Sequence, residues 1–401
     1  MQLSLRAIEM PASPIRRLAR IAEQTKSKGI KVFHLNIGQP DIETPPEMLQ
    51  AVARFEDKVL AYGPSEGLKS AREKVASYLN SMGQPCEPDD IFITTGGSEA
   101  ISFAMMAVCD VSDEIIIFEP FYTNYAGFAK MTGAVLSPLE TKAEDGFRPP
   151  APEVIASSVT KKTKAILYCS PCNPTGTVLT REEIEGIIRI AIEKDLFVIA
   201  DEVYREFVYE GAKHCGVLEV AKDMGALERV ILVDSISKRF SACGARIGYL
   251  VTHNTDVQSA CLRFAQARLC PPTLGQVAMV AGYDVWSRYV PQMISEYEIR
   301  RNCVVEAISR IKGAVCVKPE GAFYVMPHLP ISDCNDFATF LLEEFSENRE
   351  TVMVAPGDGF YYTEGKGKQE VRIAYVLNKK DLERAMDLLV KGLAAFSVRW
   401  V

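Results

Sequence analysis

An α/β architecture built on a mainly parallel sheet is what this sequence predicts, and three observations carry the expectation. First, short and mostly apolar runs recur between residues 91 and 250: Ile91–Thr95, Glu114–Phe118, Lys164–Ser170, Leu196–Ala200 and Val230–Val233. Each is too short for a helix, and none alternates as a half-exposed strand would, so each reads as a strand covered on both faces. Second, helical stretches lie between them. Ile184, Ile187, Ile188, Ala191 and Ile192 share one helix face, opened by a capping box of Thr180 and Glu183. Strands alternating with helices imply parallel neighbours joined by crossovers. Third, 401 residues, 48% hydrophobic and 24% charged, supply a large core and point to two domains or more.

The same composition argues against several classes of function. Lys and Arg number 45 against 52 Asp and Glu, a net charge of −7. An acidic balance suits neither a nucleic-acid surface nor an anionic membrane. No run reaches the roughly 18 apolar residues that cross a bilayer. The opening MQLSLRAIEMPASP lacks the apolar stretch of a secretion signal. Eleven cysteines without framework spacing read as reduced thiols, which suits a cytoplasmic protein. Cys169 and Cys172 form one C-x-x-C, but Pro171 lies between them and no second pair exists, so no metal is expected.

Taken in order, residues 1–30 are basic and carry helical spacing through Ile15, Leu18 and Ile21, as a surface helix or an arm laid on a partner would. Gly38 and Pro40 break the run from Phe33 to Asp41 into a loop that a ligand can approach closely. Tyr62–Gly67 precedes a helix over Leu68–Met82. Gly96-Gly97-Ser98 opens the helix after the strand at residue 91. Free amides and the helix dipole make such a start an anion site. The strand at residue 114 runs into Glu119–Tyr125, where the Tyr122 ring can stack on a flat ligand. Asn173-Pro174-Thr175-Gly176 is turn chemistry at every position and by itself is consistent with a bare loop. Asp201 and Tyr204 follow the C-terminal end of the strand at residue 196, where parallel α/β sheets place ligand groups. Val371–Ala374 carries one arginine, Arg372, in an apolar strand. A half-buried arginine needs an anion, and its fork fits a carboxylate.

The stretch VILVDSISKRFSACGARIGY, Val230–Tyr249, organises the rest. Its strand opens directly into Ser235, Ser237 and Lys238, with Arg246 beyond. Hydroxyls and an arginine suit a phosphate, and a desolvated lysine beside other cations suits a Schiff base. Together they suggest pyridoxal phosphate, linked to Lys238 as an imine and held at its phosphate by Ser235, Ser237 and Arg246. Alone, the stretch also fits a strand-to-loop turn with a solvated lysine.

The S-x-S-K…G-x-R-x-G-Y run resembles the signature of the class I/II aminotransferases, pyridoxal-phosphate enzymes with the fold of aspartate aminotransferase. Asn173, Asp201, Tyr204, Lys238 and Arg246 match that family in order and with similar separations. The resemblance runs from about residue 30 to 395. It implies fold type I: a large domain, residues 46–284, with a mainly parallel seven-stranded sheet, and a small α+β domain, residues 285–401. Residues 1–45 form an arm and part of the small domain.

The resemblance also implies roles. Asp201 faces the pyridine nitrogen, Asn173 and Tyr204 face the phenolic oxygen, and the amides of Gly97 and Ser98 face the phosphate. Tyr62 reaches the phosphate of a neighbouring subunit, so a homodimer with shared sites is expected. Gly38 lies near the substrate carboxylate, which Arg372 binds. The expected reaction is a ping-pong transfer of an amino group from an L-amino acid, aspartate first, to 2-oxoglutarate. Lys238, Asp201 and Tyr204 are the expected catalytic residues. Related enzymes carry G-G-K where this chain has Ser98, which leaves aromatic, prephenate or alanine specificity open. Arg268, on the loop before Pro271-Pro272, is the candidate cation for a distal carboxylate. A C–S β-lyase would use the same residues.

Overall fold

The computed structural model describes residues 1–11 and 18–397. Ile15 of the predicted N-terminal spacing lies outside them; Ala19–Ser27 is helical. The strands are β1 (Lys31–His34), β2 (Ile91–Thr94), β3 (Glu114–Glu119), β4 (Val135–Glu140), β5 (Thr163–Cys169), β6 (Phe197–Asp201), β7 (Val230–Ser235), β8 (Gly248–Val251), β9 (Tyr324–Val325), β10 (Glu350–Met353), β11 (Ala355–Pro356) and β12 (Val371–Ala374).

Seven of them form one sheet in the order β2-β8-β7-β6-β5-β3-β4. All neighbours are parallel except β8, which runs antiparallel to both β2 and β7. β7 is buried at all six positions, which is why it appears in the sequence as an unbroken apolar run. The predicted sheet is therefore present, and two of its strands were not anticipated. β4 holds Pro138 and sits at the sheet edge, where a missing N–H costs no ladder bond. β8 begins at Gly248, immediately after the Arg246 turn. Helices cover both faces of the sheet. One face packs through Ile184, Ile187, Val217 and Met279, the other through Ala100, Ala104, Tyr125 and Cys261.

A separate apolar cluster joins Leu18, Ala22 and Phe33 to Phe323, Phe337, Val352, Ile373 and Leu389. Around it lie the parallel pair β1-β10 and the three-stranded antiparallel sheet β11-β12-β9. One helix, Thr273–Ser309, serves both regions without a break. Its Met279 and Tyr283 pack in the sheet core, and its Val290, Met293 and Tyr297 pack in the second cluster. The expected boundary at 284/285 falls inside this helix.

The strands β5, β6 and β7 end side by side, with Cys169 opposite Asp201 and Asp201 opposite Val233. Their C-terminal ends, the turn after β7 and β12 from the other sheet enclose one cavity.

Candidate active site

That cavity measures about 460 Å³, and its lining includes Gly38, Gly97, Ser98, Tyr122, Asn173, Asp201, Tyr204, Ser235, Ser237, Lys238, Arg246 and Arg372. A larger hollow of about 770 Å³ lies between the N-terminal segment and the helix Asn124–Thr132. It gathers none of the predicted site residues.

Lys238 sits on a one-turn helix, Ile236–Arg239, capped by the Ser235 hydroxyl, which accepts from the Ser237 N–H at 3.1 Å. Its ammonium donates to the Gly38 carbonyl at 2.8 Å. Burial holds the Lys238 pKa below its ordinary value, the Cys243 thiol opposes this, and the Arg372 and Arg246 charges push the same way as burial. A lysine so placed is neutral more often and so more nucleophilic. Gly38 is required here: a Cβ would fall 1.7 Å from the Tyr324 hydroxyl oxygen.

Asp201 is 8% exposed and accepts from the Tyr125 hydroxyl at 2.6 Å and from the Val203 N–H at 3.2 Å. Burial pushes its pKa up to about 6, against those two bonds, which favour the ionised form. Tyr204 is buried, and its hydroxyl lies 2.9 Å from that of Tyr324. Desolvation keeps it protonated far above neutral pH.

Arg372 is 1% exposed. It donates to Asn173 Oδ1 at 3.0 Å and to the Asn36 carbonyl at 2.5 Å, and its guanidinium lies between the rings of Tyr324 and Phe360. Its Nε has no partner, and among the described residues no carboxylate pairs with it. At the other end, the Ser235 and Ser237 hydroxyls lie 2.8 Å apart. Gly97 approaches Ser235, and a Cβ on Gly96 would fall 2.5 Å from Arg246 Nη2. Gly96 has φ +76°, so glycine is suited to it twice over.

This donor set fits pyridoxal phosphate. A buried carboxylate with a raised pKa is relieved by a protonated ring nitrogen, and a buried guanidinium without an anion is relieved by a substrate carboxylate. Two hydroxyls, a guanidinium and the start of the helix Gly97–Val108 meet where a phosphate would lie. Tyr122 stands edge-on to Tyr125, with ring centroids 5.4 Å apart.

Two predicted residues are not brought in. Tyr62 is 81% exposed and touches none of the cavity. Arg268 is held within its own chain, with Nε 3.3 Å from Glu99 Oε1 and Nη2 donating to the carbonyls of Ile93 and Ser65 at 3.2 and 3.4 Å. In the isolated chain it does not face that chain's own cavity. Burial lowers its pKa, and the Glu99 carboxylate opposes that shift. Sequence reasoning also missed functional neighbours. Tyr125 donates to Asp201, and Tyr324 meets the Tyr204 hydroxyl and occupies the space a side chain at position 38 would need. Tyr125 stands in the Glu119–Tyr125 stretch that the sequence singles out, but nothing in that stretch names its partner.

Comparison with known proteins shows the family. The family model described as Aminotransferase class I and II matches residues 30–389. The chain is 30% identical over 397 residues to an aspartate aminotransferase of Bacillus subtilis, covering 96% of this chain and 98% of that one. It is 32% identical over 403 residues to aromatic-amino-acid aminotransferase 2 of Thermococcus litoralis, covering 98% of each. The crystal structure of an aspartate aminotransferase from Thermotoga maritima superposes with a TM-score of 0.89 at 30% identity, covering 98% of this chain and all of that one. This chain therefore belongs to the class I and II aminotransferases, which work with pyridoxal phosphate.

Proposed function

We propose that the enzyme moves the amino group of an L-amino acid to 2-oxoglutarate in two half-reactions, with Lys238, Asp201 and Arg372 as its central residues. The observation that carries this reading is the Arg372 guanidinium, buried, aimed at the cavity and without an anion, facing the Lys238 amine and the Asp201 carboxylate across one space. Pyridoxal phosphate supplies an electron-withdrawing ring that accepts the electron pair released when the substrate's Cα–H bond breaks.

The protein supplies the rest. Lys238 Nζ carries the cofactor at rest. Once displaced, it would be the base that takes the proton from Cα and returns it elsewhere, and burial, which lowers its pKa, favours the neutral form that task needs. Asp201 would hold a proton on the ring nitrogen, and Tyr204 and Asn173 would donate to the phenolic oxygen, with Tyr122 beside the ring. Ser235, Ser237, Arg246 and the amides of Gly97 and Ser98 would hold the phosphate, with Tyr62 reaching over from a second copy. Its exposure supports a homodimer with shared sites. Arg372 and Asn173 would hold and orient the substrate's α-carboxylate.

Aspartate is the first candidate donor, on the strength of the relatives' names. A second reading has its own support: the cations lining the cavity are Lys238, Arg246 and Arg372, each already engaged, and the remaining lining includes Ile37, Tyr122 and Tyr324. Such a surface suits an uncharged side chain, as in the aromatic-amino-acid relative. Initial rates with aspartate, phenylalanine, tyrosine and alanine against 2-oxoglutarate distinguish these readings. Rates for aspartate at least about tenfold above the others, equivalent to about 1.4 kcal/mol, establish the first. Formation of pyruvate and ammonia from cysteine, with no transfer to 2-oxoglutarate, would replace both with a β-lyase. Borohydride reduction and peptide mapping locate the cofactor lysine, and a label on any lysine but Lys238 ends this mechanism.

A further inference from the structure

Arg239 follows Lys238 on the same short turn and points the opposite way. Lys238 faces the cavity; Arg239 enters the protein and is 0% exposed. It makes three hydrogen bonds there. Nε donates to Glu206 Oε1 at 2.6 Å, Nη1 to the Tyr283 hydroxyl at 2.8 Å and Nη2 to Asp234 Oδ2 at 2.8 Å. Each acceptor sits on a different element. Asp234 is at the end of β7, and its other oxygen accepts the N–H of Ser235, a phosphate-end residue, at 2.6 Å. Glu206 lies five residues beyond Asp201 on the loop after β6. Tyr283 belongs to the helix Thr273–Ser309.

We propose that Arg239 is a positioning residue: from beneath the site it ties the turn carrying Lys238 to the segment carrying Asp201 and Tyr204, and so sets where the reactive amine stands. A buried ion network is a poor way to gain stability, since well-packed apolar side chains of the same volume often do as well or better. What it supplies is direction, and a guanidinium with three fixed acceptors has little freedom left. Arg205 is equally buried and lies in the same network, and it provides the contrast. Arg205 Nη2 lies 3.1 Å from Asp234 and 3.3 Å from Glu202, but none of its nitrogens makes a well-aligned hydrogen bond. Both guanidiniums lie near the Tyr78 ring, Arg239 at 4.7 Å and Arg205 at 5.7 Å from its centre. Arg205 therefore contributes charge to the same carboxylates, and Arg239 contributes charge with orientation.

The inference rests on Lys238 being the cofactor lysine, which the borohydride label tests separately. The test compares Arg239→Lys with Arg205→Lys in enzyme loaded with pyridoxal phosphate. Three quantities are read: the pH midpoint of the bound cofactor's absorbance change, kcat and KM for the amino donor, and the melting temperature of the cofactor-free protein. Arg239→Lys is expected to move the absorbance midpoint by about half a pH unit or more and to lower kcat about tenfold, with KM within about threefold. Arg205→Lys is expected to lower the melting temperature but leave the midpoint in place. An unmoved midpoint in Arg239→Lys, or equal movement in both variants, overturns the proposal in favour of a structural or general electrostatic role. Should Arg239→Lys not fold, Tyr283→Phe removes one acceptor and keeps the ring. A smaller midpoint shift is then expected, and none at all overturns the proposal.

Discussion

Replacing Asp201 with asparagine should make the cofactor-free protein more resistant to rising pH while disabling the enzyme. The buried carboxyl has an ordinary pKa of 3.8, raised in the folded chain to about 6. Between those values the unfolded chain has already released the proton and the folded chain has not. The carboxyl's contribution is therefore intact below pH 4, is lost as pH rises towards 6, and stays lost above it. Each pKa unit is worth about 1.4 kcal/mol, so the loss comes to about 3 kcal/mol. For a chain of this length that is roughly 3–4 °C of melting temperature, taking about 2.1 cal/mol/K per residue. Asparagine does not titrate, so the variant's melting temperature should be flatter by that amount between pH 4 and 7. Comparing slopes cancels the separate cost of weakening the bonds from Tyr125 and Val203. With cofactor bound, the wild type should lose most of the drop, because a protonated ring nitrogen then faces the carboxylate. Loaded Asp201→Asn should lose about 100-fold or more in kcat. Parallel melting curves for the cofactor-free wild type and variant would refute the burial argument, and an unchanged kcat would refute the role of the carboxylate.

Three further outcomes follow from the geometry. Arg372→Lys keeps the charge but not the fork, and should raise KM for the amino donor about 10- to 150-fold, the equivalent of 1.5–3 kcal/mol, as measured by steady-state kinetics. Gly38→Ala places a methyl group on the Tyr324 hydroxyl, 1.7 Å away; kcat should fall at least about tenfold, and adding Tyr324→Phe should restore part of it. Arg268→Gln should weaken turnover of aspartate and of phenylalanine to a similar small extent, within about fivefold, because the side chain is paired with Glu99. A loss confined to aspartate would show that Arg268 reaches the site of a second copy.

The sheet was legible because its central strands are covered on both faces, so Val230–Val233 and Leu196–Ala200 needed no alternation to be recognised. β4 escaped because Pro138 reads as a breaker unless the strand is known to lie at an edge, and position in a sheet is a tertiary fact. Lys238 and Asn173 could be singled out only through their match to a family pattern, since each stretch alone also fits a plain turn, and both line the cavity. Contacts across the fold were not legible. Tyr125 meets Asp201 across 76 positions and Tyr204 meets Tyr324 across 120, and no local pattern records such pairs. The pairing of Arg268 with Glu99 was hidden for the same reason, since its spacing from Pro271 says nothing of Glu99. Arg205 and Arg239 look like ordinary surface charges in sequence, yet both lie in the interior.

The unbroken helix Thr273–Ser309 gives the cavity a mechanical character. Lys238, Asp201 and Asn173 stand on the sheet side, while Arg372 and the Gly38 loop belong to the side built around β12 and β1. The helix is rooted in both cores, and Pro291 removes one rung of its hydrogen-bond ladder close to where one core gives way to the other. From there to Ser309 the helix extends about 27 Å at 1.5 Å per residue. A bend of only 5° or so at that point would carry Arg300, nine residues on, through about 1 Å, and Arg300 donates to the Val376 carbonyl, four residues beyond Arg372, at 2.9 Å. A carboxylate caught between Arg372 and Asn173 would oppose such a bend. The substrate would then act as the latch of the enzyme as well as its cargo.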